Sequence, residues 1–136
     1  MTGENFVKEE EEKLCGGGVL YSKMVIAVRV DLKMGTGKIA AQVGHGVLGA
    51  YKSAIGKDPA SIGIWEESGQ PKIVVKVENE FQLREIHKEA VRREIPVCLV
   101  TDAGRTQIEP GTVTVCSVGP GPEGVINKIT GHLKLL

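Results

Sequence analysis

The chain has 136 residues, 41% apolar and 25% charged, with no net formal charge; this is the length and balance of one globular domain and excludes disordered and collagenous classes. No apolar run approaches the roughly 18 residues of a membrane span, and the polar, acidic start fits neither a secretory signal nor an Arg-rich transit peptide, so the chain reads as soluble and intracellular. The charge is uneven: residues 1–22 carry two basic against five acidic residues, a net of −3, leaving a body of +3 that can hold phosphates on one face.

Residues 1–22 contain the Glu9–Glu12 run and Gly16–Gly18, with no sustained period of 2 or 3.6. They predict a flexible leader, followed by a single domain over 23–136. Met24–Val30 is apolar and β-branched, which suits a strand buried on both faces. A turn through Gly35-Thr-Gly37 follows, and from Lys38 a helix is predicted, with Ile39, Val43, Val47, Ala50 and Ala54 on one face. Asp58-Pro59 opens a second helix, with Asp as cap, Pro in the first turn, and Ile62 and Trp65 facing inward. Lys72–Val77 is the second strand. Asn79 and Gln82 form a capping signature for a helix running to Glu94, with Leu83, Ile86 and Ala90 inward.

Val97–Thr101 is the third strand, and Asp102–Gly111 a polar, turn-rich connection. Thr112–Val118 is the fourth strand; Gly119–Pro122 then leads into a short helix ending at Thr130, with Val125, Ile126 and Ile129 as its apolar stripe. Strands alternating with helices predict an α/β fold, three layers in the order α/β/α, with a largely parallel sheet. The third and fourth strands are joined without a helical period, so that pair is predicted antiparallel and the four-stranded sheet mixed.

Gly35-Thr-Gly-Lys38 has the look of a phosphate-binding loop but lacks its first glycine, where Leu32 stands, and the Ser or Thr after the lysine, where Ile39 stands. What remains is a lysine at a helix N-terminus, where free amides and the helix dipole favour anions. In open α/β sheets ligands gather beyond the carboxyl ends of the strands. Lys33 and Lys38 follow the first strand, and Asp102, Arg105 and Thr106 follow the third, so these groups are predicted to share one rim. A carboxylate, a hydroxyl, an ammonium and a guanidinium suit an enzyme that activates water and stabilises an anion; an ordinary polar turn and a surface lysine are the plainer alternatives.

Other chemistry is not indicated. Cys15, Cys98 and Cys116 are widely spaced without a C-x-x-C pair, and Cys98 and Cys116 lie in apolar runs as core residues. His45 shares a helix face with Gln42, but no second His or Cys completes a metal motif; His87 sits among charges and His132 near the C-terminus. The serines lack a G-x-S-x-G elbow. Trp65 is read as core.

From Lys23 to Leu136, about 114 residues, the chain resembles the archaeal and eukaryotic, second-type family of peptidyl-tRNA hydrolases, distinct from the bacterial enzyme. The blocks that carry the resemblance are Lys23–Arg29, Asp31-Leu-Lys-Met-Gly35 with Gly37–Gln42 and His45, Gly69–Lys72, Asp102–Ile108 with Pro110-Gly111, and Gly119–Pro122 with Thr130–Lys134. The resemblance implies a four-stranded mixed sheet between helical layers, often a homodimer, and hydrolysis of peptidyl-tRNA that has left the ribosome. No cofactor and no metal are expected. By motif, Lys38, Asp102 and Thr106 match residues proposed as catalytic in the family, with Thr114 a further candidate; Lys33, Gln42, His45 and Arg105 lie in the same blocks and are assigned to substrate contact. Two positions depart from the family pattern: Thr36 replaces a lysine of Met-Gly-Lys-Gly-Lys, and Gly46 replaces the alanine after the histidine. The competing expectation is a non-catalytic module on the same fold that binds RNA, or that uses the acidic leader for a protein partner. A cytoplasmic setting is expected for either.

Overall fold

The computed structural model describes residues 21–104 and 108–136; residues 1–20 of the expected leader, and Arg105 and Thr106, lie outside the described residues. In chain order the elements are β1 (Ser22–Arg29), α1 (Thr36–Lys57), α2 (Pro59–Glu67), β2 (Lys72–Val77), α3 (Glu80–Arg92), β3 (Val97–Thr101), β4 (Val113–Pro122) and α4 (Glu123–Thr130). All eight residues of β1 are buried, because helices cover both faces of the sheet. Val25 and Ala27 meet Leu83, Ile86 and Ala90 of α3 and Ile126 and Ile129 of α4. Met24, Ile26 and Val28 point the other way, toward Ala50, Trp65 and the partly buried Ile39, Val43, Val47 and Tyr51. The α/β/α layering follows from this alternation.

The sheet order is β2-β1-β4-β3. β1 and β2 are parallel, whereas β4 is antiparallel to both β1 and β3. The expectation of a largely parallel sheet is therefore corrected: only one of the three pairs is parallel. The helix-free connection after β3 returns the chain antiparallel, and β4 inserts between β1 and β3. β1, β2 and β3 still point the same way, so their carboxyl ends share a rim with the start of β4.

The capping signals act as expected. Asp58 accepts from the Ser61 amide at 3.3 Å and its hydroxyl at 2.7 Å, with Pro59 in the first turn. The Asn79 side chain accepts from the Gln82 amide at 2.9 Å, while Gln82 Oε1 accepts from the Glu78 amide at 2.6 Å, a reciprocal cap displaced by one residue. β4 differs from expectation by running on through Gly119–Pro122. A register shift between Lys23 and Val25 leaves Gly119 and Pro120 without a paired position on β1, so the missing proline N–H sacrifices no ladder bond. Gly119 has φ +112°, and a Cβ there would lie 2.6 Å from the Lys23 carbonyl oxygen.

α1 rests on the sheet through small residues. Its buried positions are Gln42, Gly46, Ala50 and Ala54, a stripe rotated toward the sheet from the Ile39, Val43, Val47 line. At Gly46, one of the two departures from the family pattern, a Cβ would stand 3.2 Å from Ser117 Cβ. At Gly49 it would stand 2.3 Å from Cys98 Sγ, inside any tolerable contact. Gly49→Ala is therefore expected to push α1 off β3 and to lower stability by about 1–3 kcal/mol, read as a lower thermal unfolding midpoint.

Trp65 is buried, its indole N–H donating to the Pro71 carbonyl at 3.0 Å. Cys116 is fully buried, and burial pushes its thiol up to about 12. His87 is half-buried rather than fully solvated, and burial, with the Arg84 cation as a lesser cause, lowers its pKa.

Candidate active site

Two segments distant in sequence meet at the rim. Lys38 is the third residue of α1, whose start has Gly35 in extended conformation, no side-chain cap and no acidic residue in the first turn. An ammonium here is poorly placed for helix stability, and it finds its compensation elsewhere. Lys38 Nζ forms a salt bridge with Asp102 Oδ1, across 64 residues of chain. Asp102 follows directly on β3, and its side chain is 2% exposed against 20% for Lys38. The cation is thus the member of the pair that solvent, and anything arriving from solvent, can touch.

The backbone around Asp102 explains why the carboxylate is held so firmly. Its amide donates to the Thr112 carbonyl at 2.8 Å, and its carbonyl accepts from the Gly111 amide at 3.0 Å, closing the connection between β3 and β4. Asp102 Oδ2 accepts from the Gly104 amide at 2.8 Å. Gly104 has φ +80°, a conformation natural to glycine that turns its amide back onto the side chain two residues earlier. A carboxylate anchored at one oxygen by a backbone amide presents the other to Lys38.

A second pair lies one helical turn further along α1. The Thr114 hydroxyl donates to Gln42 Oε1, with the Val100 carbonyl 3.4 Å away. Thr114 is fully buried and Gln42 is 5% exposed. Thr114 faces α1 because β4 bulges there: Val100 pairs with Val115 and Thr101 with Val113, leaving Thr114 as the extra residue. A bulge of this kind re-aims one side chain against the alternation of its strand. Lys38 and Gln42, four residues apart, sit above one another on α1, so the two pairs are neighbours along a single helix face.

The remaining site residues expected from sequence are spread around this centre. Lys33 is exposed in the loop between β1 and α1, with φ +53° and its amide donating to the Val30 carbonyl at 3.2 Å. His45 is exposed on α1, one turn beyond Gln42. Arg105 and Thr106, expected beside Asp102, fall outside the described residues. Sequence reasoning passed over one buried cation at the same rim. Arg29 ends β1, donates to both oxygens of Asp31 at 3.0 and 2.7 Å, and donates to the Val113 carbonyl at 3.0 Å. The hydrogen bonds from Arg29, with its positive charge, hold the Asp31 carboxyl below the usual range, and the same bonds raise Arg29. The only local signal was an arginine closing an apolar strand two residues before an aspartate.

A family model described as peptidyl-tRNA hydrolase PTH2 matches residues 22–136. The chain is similar to the probable peptidyl-tRNA hydrolase 2 of Drosophila melanogaster, 54% identical over 114 residues that make up 84% of this chain and 61% of that protein. It is similar to the mitochondrial peptidyl-tRNA hydrolase 2 of Bos taurus, 48% identical over 93% of this chain and 70% of that protein. With the peptidyl-tRNA hydrolase of Methanocaldococcus jannaschii the identity is 46% over 84% of this chain and 99% of the archaeal protein. The chain therefore spans about three fifths of the fly relative and nearly all of the archaeal one.

Proposed function

We propose that this chain, which belongs to the peptidyl-tRNA hydrolase PTH2 family, hydrolyses the ester joining a peptide's terminal carbonyl to a ribose hydroxyl in peptidyl-tRNA, releasing peptide and free tRNA. The observation that carries the reading is the Lys38–Asp102 pair, a largely buried carboxylate and a more exposed ammonium where α1 meets the end of β3. An ester carbonyl is more reactive than an amide, and the reaction needs no covalent intermediate. Asp102, helped by Thr106, positions and polarises the attacking water. Lys38 stabilises the oxyanion that develops on the carbonyl, or the departing ribose oxygen. Thr114, fully buried with its hydroxyl donating to Gln42 one turn along α1 from Lys38, is the further catalytic candidate. Lys33, His45 and Arg105 are assigned to the phosphates and the single-stranded acceptor end, with little base selectivity because many tRNAs must be accepted.

The direct test is incubation of the purified protein with N-acyl-aminoacyl-tRNA and measurement of free tRNA. Release of tRNA is the expected result, and intact substrate at high enzyme concentration contradicts the reading. In the same assay KM is expected to rise steeply with salt, because displaced counterions drive the binding of a polyanion even to a protein of zero net charge. A KM indifferent to salt contradicts a phosphate-holding rim.

Three further features belong to the proposal. A homodimer has an apolar surface available in Leu48 and Ile55, both more than half exposed on α1. A protein partner for the acidic leader is proposed on its charge alone. A cytoplasmic setting is the third, and no helix among the described residues is long and apolar enough to cross a membrane.

A further inference from the structure

The paired register of β1 and β4 ends at the rim with Val28 opposite Val115. Beyond that point the Val30 amide turns to the Val77 carbonyl of β2 at 3.0 Å, while β4 bulges outward at Thr114. Arg29 sits in the fork, its side chain 9% exposed. Nη1 donates to the Val113 carbonyl at 3.0 Å, supplying a donor where the ladder between the two strands gives out. Nε and Nη2 grip the two oxygens of Asp31 at 3.0 and 2.7 Å, and Nη1 lies 3.7 Å from Glu80 at the start of α3. One planar group thus holds the residue before Thr114 and the second residue of the loop that leads to Lys38.

We propose that Arg29 is a positioning residue for the hydrolytic site: it fixes the spacing between the loop that leads to Lys38 and the bulge carrying Thr114, acting through Asp31 and the Val113 carbonyl without touching substrate. This rests on the hydrolase reading above. The case is geometric. Only the guanidinium offers donors in a rigid fork that satisfies a carboxylate bidentately while a further N–H reaches a carbonyl; a lysine keeps the charge but not the fork. The guanidinium is buried, while the two acids it meets are 36% and 50% exposed. Alignment at the rim is what the arrangement supplies, and errors of about 1 Å in such alignment cost up to 10²-fold in rate.

The test uses the full chain as Arg29→Lys and, separately, Asp31→Asn, whose side chain is partly exposed and whose loss leaves the Val113 contact in place. Each is assayed for kcat and KM on N-acyl-aminoacyl-tRNA, for a cooperative thermal transition, and for the methyl resonance of Thr114 by NMR. The expected result is a folded protein whose kcat falls about tenfold or more with KM within about twofold of the parent, and a displaced Thr114 resonance in both variants. A folded Arg29→Lys protein with parental kcat, a loss confined to KM or to the melting midpoint, or an unmoved Thr114 resonance overturns the proposal. If Arg29→Lys does not fold, Asp31→Asn decides the matter alone. Should the parent protein leave the ester intact, the hydrolase reading fails first, and the Thr114 resonance still shows whether Arg29 couples the loop to the bulge.

Discussion

Lys38→Ala is expected to lower kcat on N-acyl-aminoacyl-tRNA by about 10²–10³, the loss associated with removing one well-placed donor to a developing oxyanion. Such a donor contributes about 3–4 kcal/mol because it acts where water is excluded, and it has no need to reorganise during the reaction. Lys38 has the attributes required: its position is fixed by α1, and its ammonium is tethered to the nearly inaccessible Asp102 while remaining more exposed than its partner. KM is expected to change much less than kcat, since an interaction made in the transition state alone does not contribute to substrate binding. The substitution strands a buried carboxylate, so a thermal melt must accompany the kinetics to show that the variant is folded. Single-turnover rates at saturating enzyme give the cleanest reading, and an undiminished rate removes Lys38 from the mechanism.

The second large effect is expected at Asp102. Asp102→Asn preserves the shape, and its amide oxygen can still accept from the Gly104 amide now 2.8 Å from Oδ2, but the charge that orders water and pairs with Lys38 is gone. A fall in kcat of about 10²–10⁴ is expected, the range attributed to general acid–base assistance. Affinity for uncharged-end tRNA, measured by fluorescence anisotropy, is expected to hold or to tighten, because a negative charge has left a surface that meets phosphates. This split separates the two function classes. A module that only binds RNA has no turnover to lose, whereas an enzyme keeps its ligand and loses its rate.

Much of this arrangement was legible before any coordinates. The apolar run at Met24–Val30 could be read as a strand because helices bury it on both faces, which removes the need for alternation, and Lys72–Val77 and Val97–Thr101 because their β-branched residues fit a half-buried edge of the same sheet. Asp58-Pro59 and Asn79 with Gln82 announced helix starts because capping is local chemistry. The meeting of Lys38 with Asp102 followed from topology alone: both follow carboxyl ends of strands that point the same way.

What stayed hidden was set by tertiary pairing. The insertion of β4 between β1 and β3 is decided by which edges compete for a partner, and no residue near β4 encodes that choice. Thr114 faces α1 only because of a one-residue bulge, and strict alternation along Val113-Thr-Val115 gives no warning of it. Gln42 was assigned to substrate contact because it lies in a block shared with the family; it sits on the most buried stripe of α1, where its side-chain oxygen accepts from the Thr114 hydroxyl. The Gly119–Pro122 stretch looked like a connection, since two prolines ordinarily end a strand; it continues as strand because the unpaired positions coincide with Gly119 and Pro120. Arg29 was visible as a letter in a motif, but its partners on β4 and α3 are 84 and 51 residues away.

The central claim is that Lys38 and Asp102 act as one unit on a single ester carbonyl, and a double-mutant cycle on single-turnover hydrolysis tests it most directly. If they share one transition state, the Lys38→Ala, Asp102→Asn double variant is expected to be little slower than the worse of the two single variants. Losses that multiply in full would contradict the account, because they would mean that the two residues contribute independently of one another.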